Sequence, residues 1–217
     1  MKGTIMTTTL IVSAVLGYLL GSIPFGLVLC YMAGLGDIRK IGSGNIGATN
    51  VLRTGHKWLA LLTVILDAAK AGLAAYIAQI LLPDTEIFIC GIATTVSTLG
   101  ALITGTAAIL GHNFPIWLKF KGGKGVASSF GFILVISPWT ALCTLLTWLT
   151  FAFTFRYSSL SAIAAAVLTP LYAFFLTGQI ETVFFTAIAL LVLFRHHANI
   201  RRLLNGTESK INLKKKA

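Results

Sequence analysis

Apolar segments long enough to cross a lipid bilayer occupy most of this chain. A transmembrane helix needs about 20 mostly apolar residues, and turn-forming or polar residues divide this sequence into seven such segments. We place them at 5–34, 58–82, 87–111, 124–137, 139–155, 159–177 and 180–194. Only 11% of the residues are charged, whereas a soluble domain carries about 25%. The sequence therefore predicts an all-α integral membrane protein, a bundle of seven transmembrane helices forming one domain over residues 1–217.

Two of these assignments have alternatives. The fourth and fifth segments are short and are separated only at Ser137-Pro138, so a single kinked span is the competing interpretation. The first segment follows Lys2, as the apolar part of a signal peptide would. It continues to about Leu35 without a convincing small-residue cleavage site, so we expect a retained helix.

The distribution of basic residues predicts the orientation in the membrane. With seven spans, alternate loops and the C-terminal tail lie on the side of the membrane opposite the N-terminus. These segments are the loops 36–57, 112–123 and 156–158 and the tail 195–217. Of the 17 lysines and arginines, only Lys2 lies on the other side and only Lys70 lies within a span. Positive residues stay on the cytoplasmic side, so we expect the N-terminus outside and the C-terminus in the cytoplasm. This bias explains the net charge of +11 without a nucleic-acid partner.

The first cytoplasmic loop contains a glycine-rich hexapeptide, GSGNIG, that matches the dinucleotide-binding pattern G-x-G-x-x-G. That pattern indicates a nucleotide site only between a strand and a helix, with an acidic residue about 20 residues further on. Here a membrane helix precedes it and the acidic residue is absent. The loop can instead form a nest of backbone N–H groups for a phosphate, or be a plain glycine-rich turn with polar caps. The candidate phosphate-binding residues are Gly42, Ser43, Gly44, Asn45, Gly47, Thr49 and Asn50.

The second cytoplasmic loop combines lysines with glycines in the sequence LKFKGGKG. Glycines let the backbone approach a phosphate closely, and lysine supplies a point charge. A helix that began near Lys124 would add the favourable dipole of its N-terminus. The loop lacks the G-x-x-x-x-G-K-[ST] pattern of a P-loop. Its candidate phosphate-binding residues are Lys121, Gly122, Gly123, Lys124 and Gly125.

Two further pairs of polar residues stand out. His196 and Asn199 are spaced i, i+3, so they share one face if the last helix continues into the cytoplasm. Asp67 and Lys70 have the same spacing inside the second span, where an ion pair that holds the bundle together is the simplest interpretation. A functional role for Asp67 and Lys70 is the alternative.

Five motifs, taken in order, resemble one family along nearly the whole chain. They are GSIPFG, GSGNIGATN, LDAAKA, GHNFP with FKGGKGVA, and RHHANIRRLLNGTE. They look like the signatures of the bacterial acyl-phosphate:glycerol-3-phosphate acyltransferases, the PlsY family. The resemblance implies a seven-span enzyme of the cytoplasmic (inner) membrane with its active site facing the cytoplasm. It also implies transfer of a fatty acyl group from acyl phosphate to position 1 of glycerol 3-phosphate, giving lysophosphatidic acid and phosphate in phospholipid biosynthesis.

The resemblance assigns roles to matching positions. The essential serine and arginine of the family's first motif correspond to Ser43 and Arg53, and its substrate loop to the glycines around Lys124. The family's histidine and asparagine correspond to His196 and Asn199, and its structural glutamate to Glu208. The Ser-Leu-x-Ser motif common among relatives is incomplete here, because Ala162 replaces its last serine. We therefore leave Ser159 and Ser161 out of the site.

No metal or other cofactor is expected, because few carboxylates lie on the cytoplasmic side and acyl phosphate is already activated. We prefer direct transfer to a covalent acyl-enzyme, with His196, Asn199 or the donor's own phosphate as the possible proton acceptor. The expected partners are the two substrates and the lipid bilayer, and a monomer is expected. A transporter or channel for a small phosphorylated solute is the competing class. The three cysteines lie singly in predicted spans, with no spacing suited to a disulfide or metal: Cys30, Cys90 and Cys143.

Overall fold

A computed structural model describes residues 2–211 and shows a mostly helical chain. Its helices are α1 (Lys2–Gly21), α2 (Phe25–Met32), α3 (Ala48–Leu52), α4 (Lys57–Leu81), α5 (Val96–Asn113), α6 (Val126–Ile136), α7 (Pro138–Phe155), α8 (Ser158–Leu176), α9 (Gln179–Arg195) and α10 (His197–Leu204). Short 3-10 turns lie at Ile38–Lys40 and Ile116–Leu118.

Several of these helices have the length and composition of membrane spans. Within the described residues, five stretches qualify, and six do if α9 and α10, which meet at a bend of 59°, count as one. The prediction of a helical membrane protein is confirmed. The predicted fourth span, 124–137, contains the 11-residue helix α6, which is about 16 Å long at 1.5 Å per residue and cannot alone cross a core of about 30 Å. The count of seven spans stays a prediction.

The first predicted span is a broken helix. The helix α1 ends at Gly21 and α2 begins at Phe25, and Pro24 in the break has no N–H to continue the hydrogen-bond ladder. A carbonyl released inside a membrane needs another partner. Lys70 of α4 provides one, because its Nζ donates to the carbonyl of Ile23 at 2.8 Å.

The predicted third span, 87–111, begins too early. Residues Glu86–Ile89 (β1) and Ile92–Thr95 (β2) form an antiparallel hairpin, and α5 begins only at Val96. Their isoleucines suit a strand as well as a helix, and a count of apolar residues does not distinguish the two. The hairpin turn contains Cys90, which is exposed at a φ of 51° and does not lie inside a span.

The chain forms two compact units, Met1–Ile136 and Ser137–Ala217. In the first unit, helices approach each other through small residues: a Cβ at Gly21 of α1 would overlap the carbonyl of Ala108 in α5. Such contacts are typical of membrane helices. In the second unit, hydrogen bonds between side-chain hydroxyls join α7 to α8: Thr144 to Thr169 at 3.0 Å, and Thr147 to Tyr172 at 2.7 Å.

The predicted loop 36–57 is folded against the first unit. It carries the short helix α3, and three of its apolar side chains are buried against α2 and α4. The loop residues are Ile38, Ile46 and Val51, and the helix residues are Leu27, Cys30 and Ala60. This apolar contact holds the polar motif of the loop in one conformation.

Candidate active site

A buried asparagine organises the first cytoplasmic loop. Asn50, which is 1% exposed, donates from Nδ2 to the carbonyls of Ile38 and Asn45, both at 2.8 Å. Its Oδ1 accepts from the backbone N–H of Ser43 at 3.1 Å. The Ser43 hydroxyl and the Arg53 guanidinium each lie 3.4 Å from the same oxygen. The carboxamide thus brings together the two predicted catalytic residues of this motif and is itself bonded within the loop.

The surface of this loop is formed by the predicted site residues. Ser43, Thr49 and Arg53 are exposed, whereas Asn45 is half-buried and bonds through Oδ1 to the N–H of Ile46 at 2.9 Å. Gly42 and Gly44 have φ values of 56° and 70°, a conformation that favours glycine. Gly47 precedes α3 with a φ of −82°. An exposed serine hydroxyl beside an arginine can bind a phosphate oxygen.

Asp37, at the start of this loop, has a different task. Its carboxylate caps the 3-10 turn by accepting from the Arg39 N–H at 2.9 Å. It also pairs with the Arg39 side chain, Nη2 to Oδ2, at 2.6 Å. These hydrogen bonds lower the pKa of Asp37 to about 2. The carboxylate is therefore ionised and is already bonded to Arg39.

The glycines of the second loop pack against the end of α5. The N–H of Gly122 donates to the Asn113 carbonyl at 3.2 Å, and that of Gly123 to the His112 carbonyl at 3.0 Å. A Cβ at Gly122 would overlap the His112 carbonyl oxygen, and one at Gly123 would overlap Nε2 of the His112 ring. These contacts already require glycine at both positions. The predicted phosphate-binding role of Gly122 and Gly123 stays a prediction.

The lysines of the second loop lie around these glycines. Lys124 is half-buried two residues before the start of α6, and Lys121 is exposed. Gly125 has a φ of 83°, and its Cα faces the carboxamide of Asn113, whose Oδ1 would lie 2.9 Å from an added Cβ. Asn113 is fully buried, and its amide atoms have no hydrogen-bond partner among the described residues. Buried polar groups are normally paired, so Asn113 is a candidate site residue that the sequence patterns missed.

The predicted intramembrane ion pair is present. Nζ of Lys70 lies 2.8 Å from Oδ1 of Asp67, and both residues are nearly completely buried. The contact is an ion pair by distance, without the alignment of a hydrogen bond. A third residue, His112, completes the group: its Nδ1 lies 2.9 Å from the same ammonium.

In the second unit, Glu208 collects three hydrogen bonds. Its Oε1 accepts from the Ser159 hydroxyl and from Nδ2 of Asn199, both at 2.7 Å, and its Oε2 accepts from Nε of Arg202 at 2.6 Å. Burial raises the pKa of this carboxyl, but the hydrogen bonds and the Arg202 charge outweigh burial, so the pKa of Glu208 is lowered. Glu208 therefore orients Asn199 and joins α8 to α10. Ser159, which the sequence analysis leaves out of the site, is thus a partner of the predicted structural glutamate.

His196 lies buried at the bend between α9 and α10. Its Nδ1 is 2.7 Å from the Val192 carbonyl. A carbonyl only accepts, so Nδ1 carries a proton and Nε2 is the basic nitrogen of the neutral ring. That tautomer suits the acceptance of a proton from a hydroxyl group. Asn199 is also buried, but α9 and α10 meet at a bend of 59°, so the continuous helix on which the expected shared face depended is not present.

Comparison with known proteins gives the same family throughout. The family described as glycerol-3-phosphate acyltransferase matches residues 11–206. A relative from Rhodospirillum rubrum named glycerol-3-phosphate acyltransferase is 53% identical over 206 residues, covering 95% of this chain and 93% of the relative. A protein of the same name from Mesorhizobium japonicum is 50% identical over 209 residues, covering 96% and 100%.

Two solved structures have a similar fold. Both are crystal structures of PlsY (YgiH), an integral membrane glycerol 3-phosphate acyltransferase, and each is 36% identical over 94% of this chain and 96% of the other. The TM-score is 0.83 for the glycerol 3-phosphate form and 0.81 for the lysophosphatidic acid form. The motifs, the helical membrane fold and a match over almost the full length agree, and the chain belongs to the glycerol-3-phosphate acyltransferase family.

Proposed function

We propose that this protein transfers a fatty acyl group from acyl phosphate to the position 1 hydroxyl of glycerol 3-phosphate, releasing lysophosphatidic acid and inorganic phosphate. The observation that carries the proposal is the loop in which the Asn50 carboxamide holds the hydroxyl of Ser43 beside the guanidinium of Arg53. This arrangement offers one hydroxyl donor and one charge to a phosphate. The similarity to a structure of PlsY in its glycerol 3-phosphate form supports the choice of acceptor.

The phosphate groups of the two substrates are bound by the basic and glycine-rich loops in this proposal. Ser43 and Arg53 bind the phosphate of acyl phosphate, and Lys124, assisted by Lys121, binds that of glycerol 3-phosphate. Each lysine acts as a point charge, while Arg53 can donate two parallel hydrogen bonds. The exposed backbone around Gly42 and Gly44 lets an anion approach this loop closely.

The acyl group moves in a single displacement at the acyl carbon. The hydroxyl oxygen of glycerol 3-phosphate forms a bond to the carbonyl carbon, and the bond from that carbon to the phosphate oxygen breaks. The phosphate leaves with the electron pair and takes up the hydroxyl proton. Because acyl phosphate is an activated anhydride, positioning and charge stabilisation supply much of the rate. In the second unit, His196 and Asn199, the latter oriented by Glu208, stay predicted catalytic residues.

The proposed membrane arrangement follows the sequence. We infer seven spans, an outer N-terminus, a cytoplasmic C-terminus and a monomer in the inner membrane of a bacterium. Loops 36–57 and 112–123 then lie on the cytoplasmic side, where phosphorylated metabolites are found. The excess of lysine and arginine on these segments supports this orientation.

Phosphate release in detergent solution tests the proposal. The purified protein should release phosphate from acyl phosphate only when glycerol 3-phosphate is present, with lysophosphatidic acid formed in equal amount. A transporter of phosphorylated solutes would show no turnover without a sealed membrane. Absence of coupled release from folded protein would refute the proposed reaction.

The covalent alternative needs a separate experiment. Incubation with acyl phosphate alone, followed by mass spectrometry of the intact protein, should show no acyl adduct on wild type. A stoichiometric adduct that disappeared in Ser43→Ala would replace direct transfer by an acyl-enzyme mechanism.

A further inference from the structure

A lysine ammonium is surrounded by three acceptors in the interior of the first unit. Nζ of Lys70 lies 2.8 Å from Oδ1 of Asp67, 2.9 Å from Nδ1 of His112 and 2.8 Å from the carbonyl of Ile23. Exposure is 2% for Lys70, 3% for Asp67 and 4% for His112. An ammonium group has three N–H donors. Two of them have hydrogen-bond acceptors in His112 and Ile23, and Asp67 lies at ion-pair distance and balances the charge.

The contact with Lys70 selects one tautomer of a neutral His112 ring. An ammonium only donates, so Nδ1 of His112 accepts, and the proton of the neutral ring lies on Nε2. The orientation of the ring is therefore set by a buried partner on another helix, α4. A ring held in this way has little freedom to rotate away from a neighbouring group.

The opposite edge of the same ring lies against the glycine loop. A Cβ built on Gly123 would overlap Nε2 of His112 and would lie 2.6 Å from Cε1 and 2.9 Å from Cδ2. The carbonyl of His112 accepts the N–H of Gly123 at 3.0 Å. Both the side chain and the backbone of one residue thus contact Gly123, directly before Lys124.

We propose that His112 is a positioning residue that links the buried Asp67–Lys70 pair to the loop Lys121–Gly125. The Asp67–Lys70 pair fixes the orientation of the His112 ring. The ring and the carbonyl of His112 then fix the backbone at Gly123, and this determines the position of Lys124. Glycine is required at position 123 because the His112 ring occupies the space of a side chain. This inference rests on the proposed function, because it assigns the loop a task in binding glycerol 3-phosphate.

Position 123 can require glycine for two reasons: the His112 ring fills the space, or an anion must approach the backbone closely. A double-mutant experiment distinguishes them. Gly123→Ala should raise the KM for glycerol 3-phosphate about tenfold or more, as overpacking of a tight contact does, with a smaller change in kcat. His112→Asn keeps an acceptor near the position of Nδ1 and keeps the backbone bond from Gly123, but it removes Nε2 and Cε1, which contact the loop. Alone it should raise KM by about threefold, and an unchanged KM would show that the ring does not position the loop. The double variant should return to within about threefold of His112→Asn, because the added methyl then has room.

Gly122→Ala is the matched control. A Cβ there would overlap the His112 carbonyl oxygen and Cδ of Pro115, which are not removed by a change of the His112 side chain. His112→Asn should therefore not rescue Gly122→Ala. The proposal would be overturned if His112→Asn failed to rescue Gly123→Ala. That result would show that the alanine methyl hinders substrate binding and does not act by colliding with the His112 ring.

The link to the ion pair has its own test. Asp67→Asn combined with Lys70→Met removes both charges without leaving one buried and unpaired. This variant should raise the KM for glycerol 3-phosphate more than it lowers kcat, whereas Thr104→Val, a buried change in the same helix as His112, should leave KM unchanged. A loss of thermal stability with an unchanged KM would show that the pair is only structural.

A second measurement distinguishes failure of the proposed reaction from failure of the contact between His112 and Gly123. Melting temperatures of the variants in detergent report the steric contact without any turnover: Gly123→Ala should melt lower, and His112→Asn should restore it. Rescue of melting in a protein without acyltransferase activity would refute the proposed reaction and keep the His112 contact. If the wild type is active but His112→Asn restores neither the melting temperature nor the KM of Gly123→Ala, the contact is refuted and the proposed reaction is not.

Discussion

At the scale of single residues, Asn50 shows how a buried side chain can serve an exposed site. Its sequence context assigned it to phosphate binding, and the structure gives its carboxamide four partners within the loop: Ile38, Ser43, Asn45 and Arg53. Two polar groups that would bind substrate are thereby held side by side. The residue most sensitive to substitution in this motif need not touch the substrate.

Asn50→Ala is expected to lower kcat/KM by about 10- to 100-fold. The substitution leaves the carbonyls of Ile38 and Asn45 unpaired, and each unsatisfied buried group costs about 1–3 kcal/mol. Steady-state kinetics in detergent would measure the effect. Asn205→Ala, at an exposed position after α10, should retain activity. Equal activities of the two variants would show that Asn50 does not organise the site.

At the scale of elements, Glu208 joins the start of α8 to α10. The contacts with Ser159, Asn199 and Arg202 come from separate parts of the second unit. The short helix α10 has eight residues, and isolated helices of fewer than about 12 residues are marginal in water. Its orientation therefore depends on tertiary contacts such as these.

The Glu208 contacts predict a pH-dependent stability. Its pKa is lowered from an ordinary value of 4.5, so its stabilisation is complete above pH 4.5 and is lost as the pH falls through the lower, folded-state pKa. Thermal unfolding of wild type and Glu208→Gln should therefore differ at pH 7 and converge towards pH 3. A difference that stayed constant over this range would contradict an ionised Glu208 in the folded protein.

The contact between α1 and α5 gives a second prediction for elements. A Cβ at Gly21 would overlap the carbonyl oxygen of Ala108 and lie 2.5 Å from its C and Cα atoms, all of them backbone. Backbone atoms of two packed helices yield less readily than a side chain, so Gly21→Ala should cost about 1–3 kcal/mol. Its melting temperature should fall below that of Val12→Ala, a change on an exposed position of α1. Similar melting temperatures would contradict the close approach.

At the scale of the whole molecule, the hairpin Glu86–Thr95 provides a natural probe of orientation. Its turn holds Cys90, which is exposed, whereas Cys30 is buried and Cys143 is half-buried within helices. The proposed topology puts the hairpin outside and loop 112–123 in the cytoplasm. A charged maleimide that cannot cross membranes should distinguish the two sides.

Intact spheroplasts should therefore be labelled by this reagent at Cys90, and Cys90→Ser should abolish the labelling. In that background, Lys121→Cys should be labelled only after the membrane is permeabilised. Labelling of Cys90 that required permeabilisation would reverse the proposed orientation.

The sequence predicted the helical membrane fold correctly, but it predicted the ends of the individual helices less well. Long apolar runs indicated spans correctly because insertion depends on length and composition, and five stretches of the described chain meet those criteria. The hairpin at 86–95 was missed because its isoleucines suit either conformation. The break at Ser22–Pro24 was also missed, since the partner of the Ile23 carbonyl is a lysine distant in sequence.

The class of protein, its family and the residue types of its candidate site could be predicted from the chain's local patterns, because hydropathy and motifs are local properties. The pairing of its polar groups could not be predicted in this way, because it depends on how the helices pack. Lys70 meets His112 across 42 positions, and Ser159 meets Glu208 across 49. No local pattern encodes such pairs, since they depend on how helices pack and on which buried donors must find acceptors.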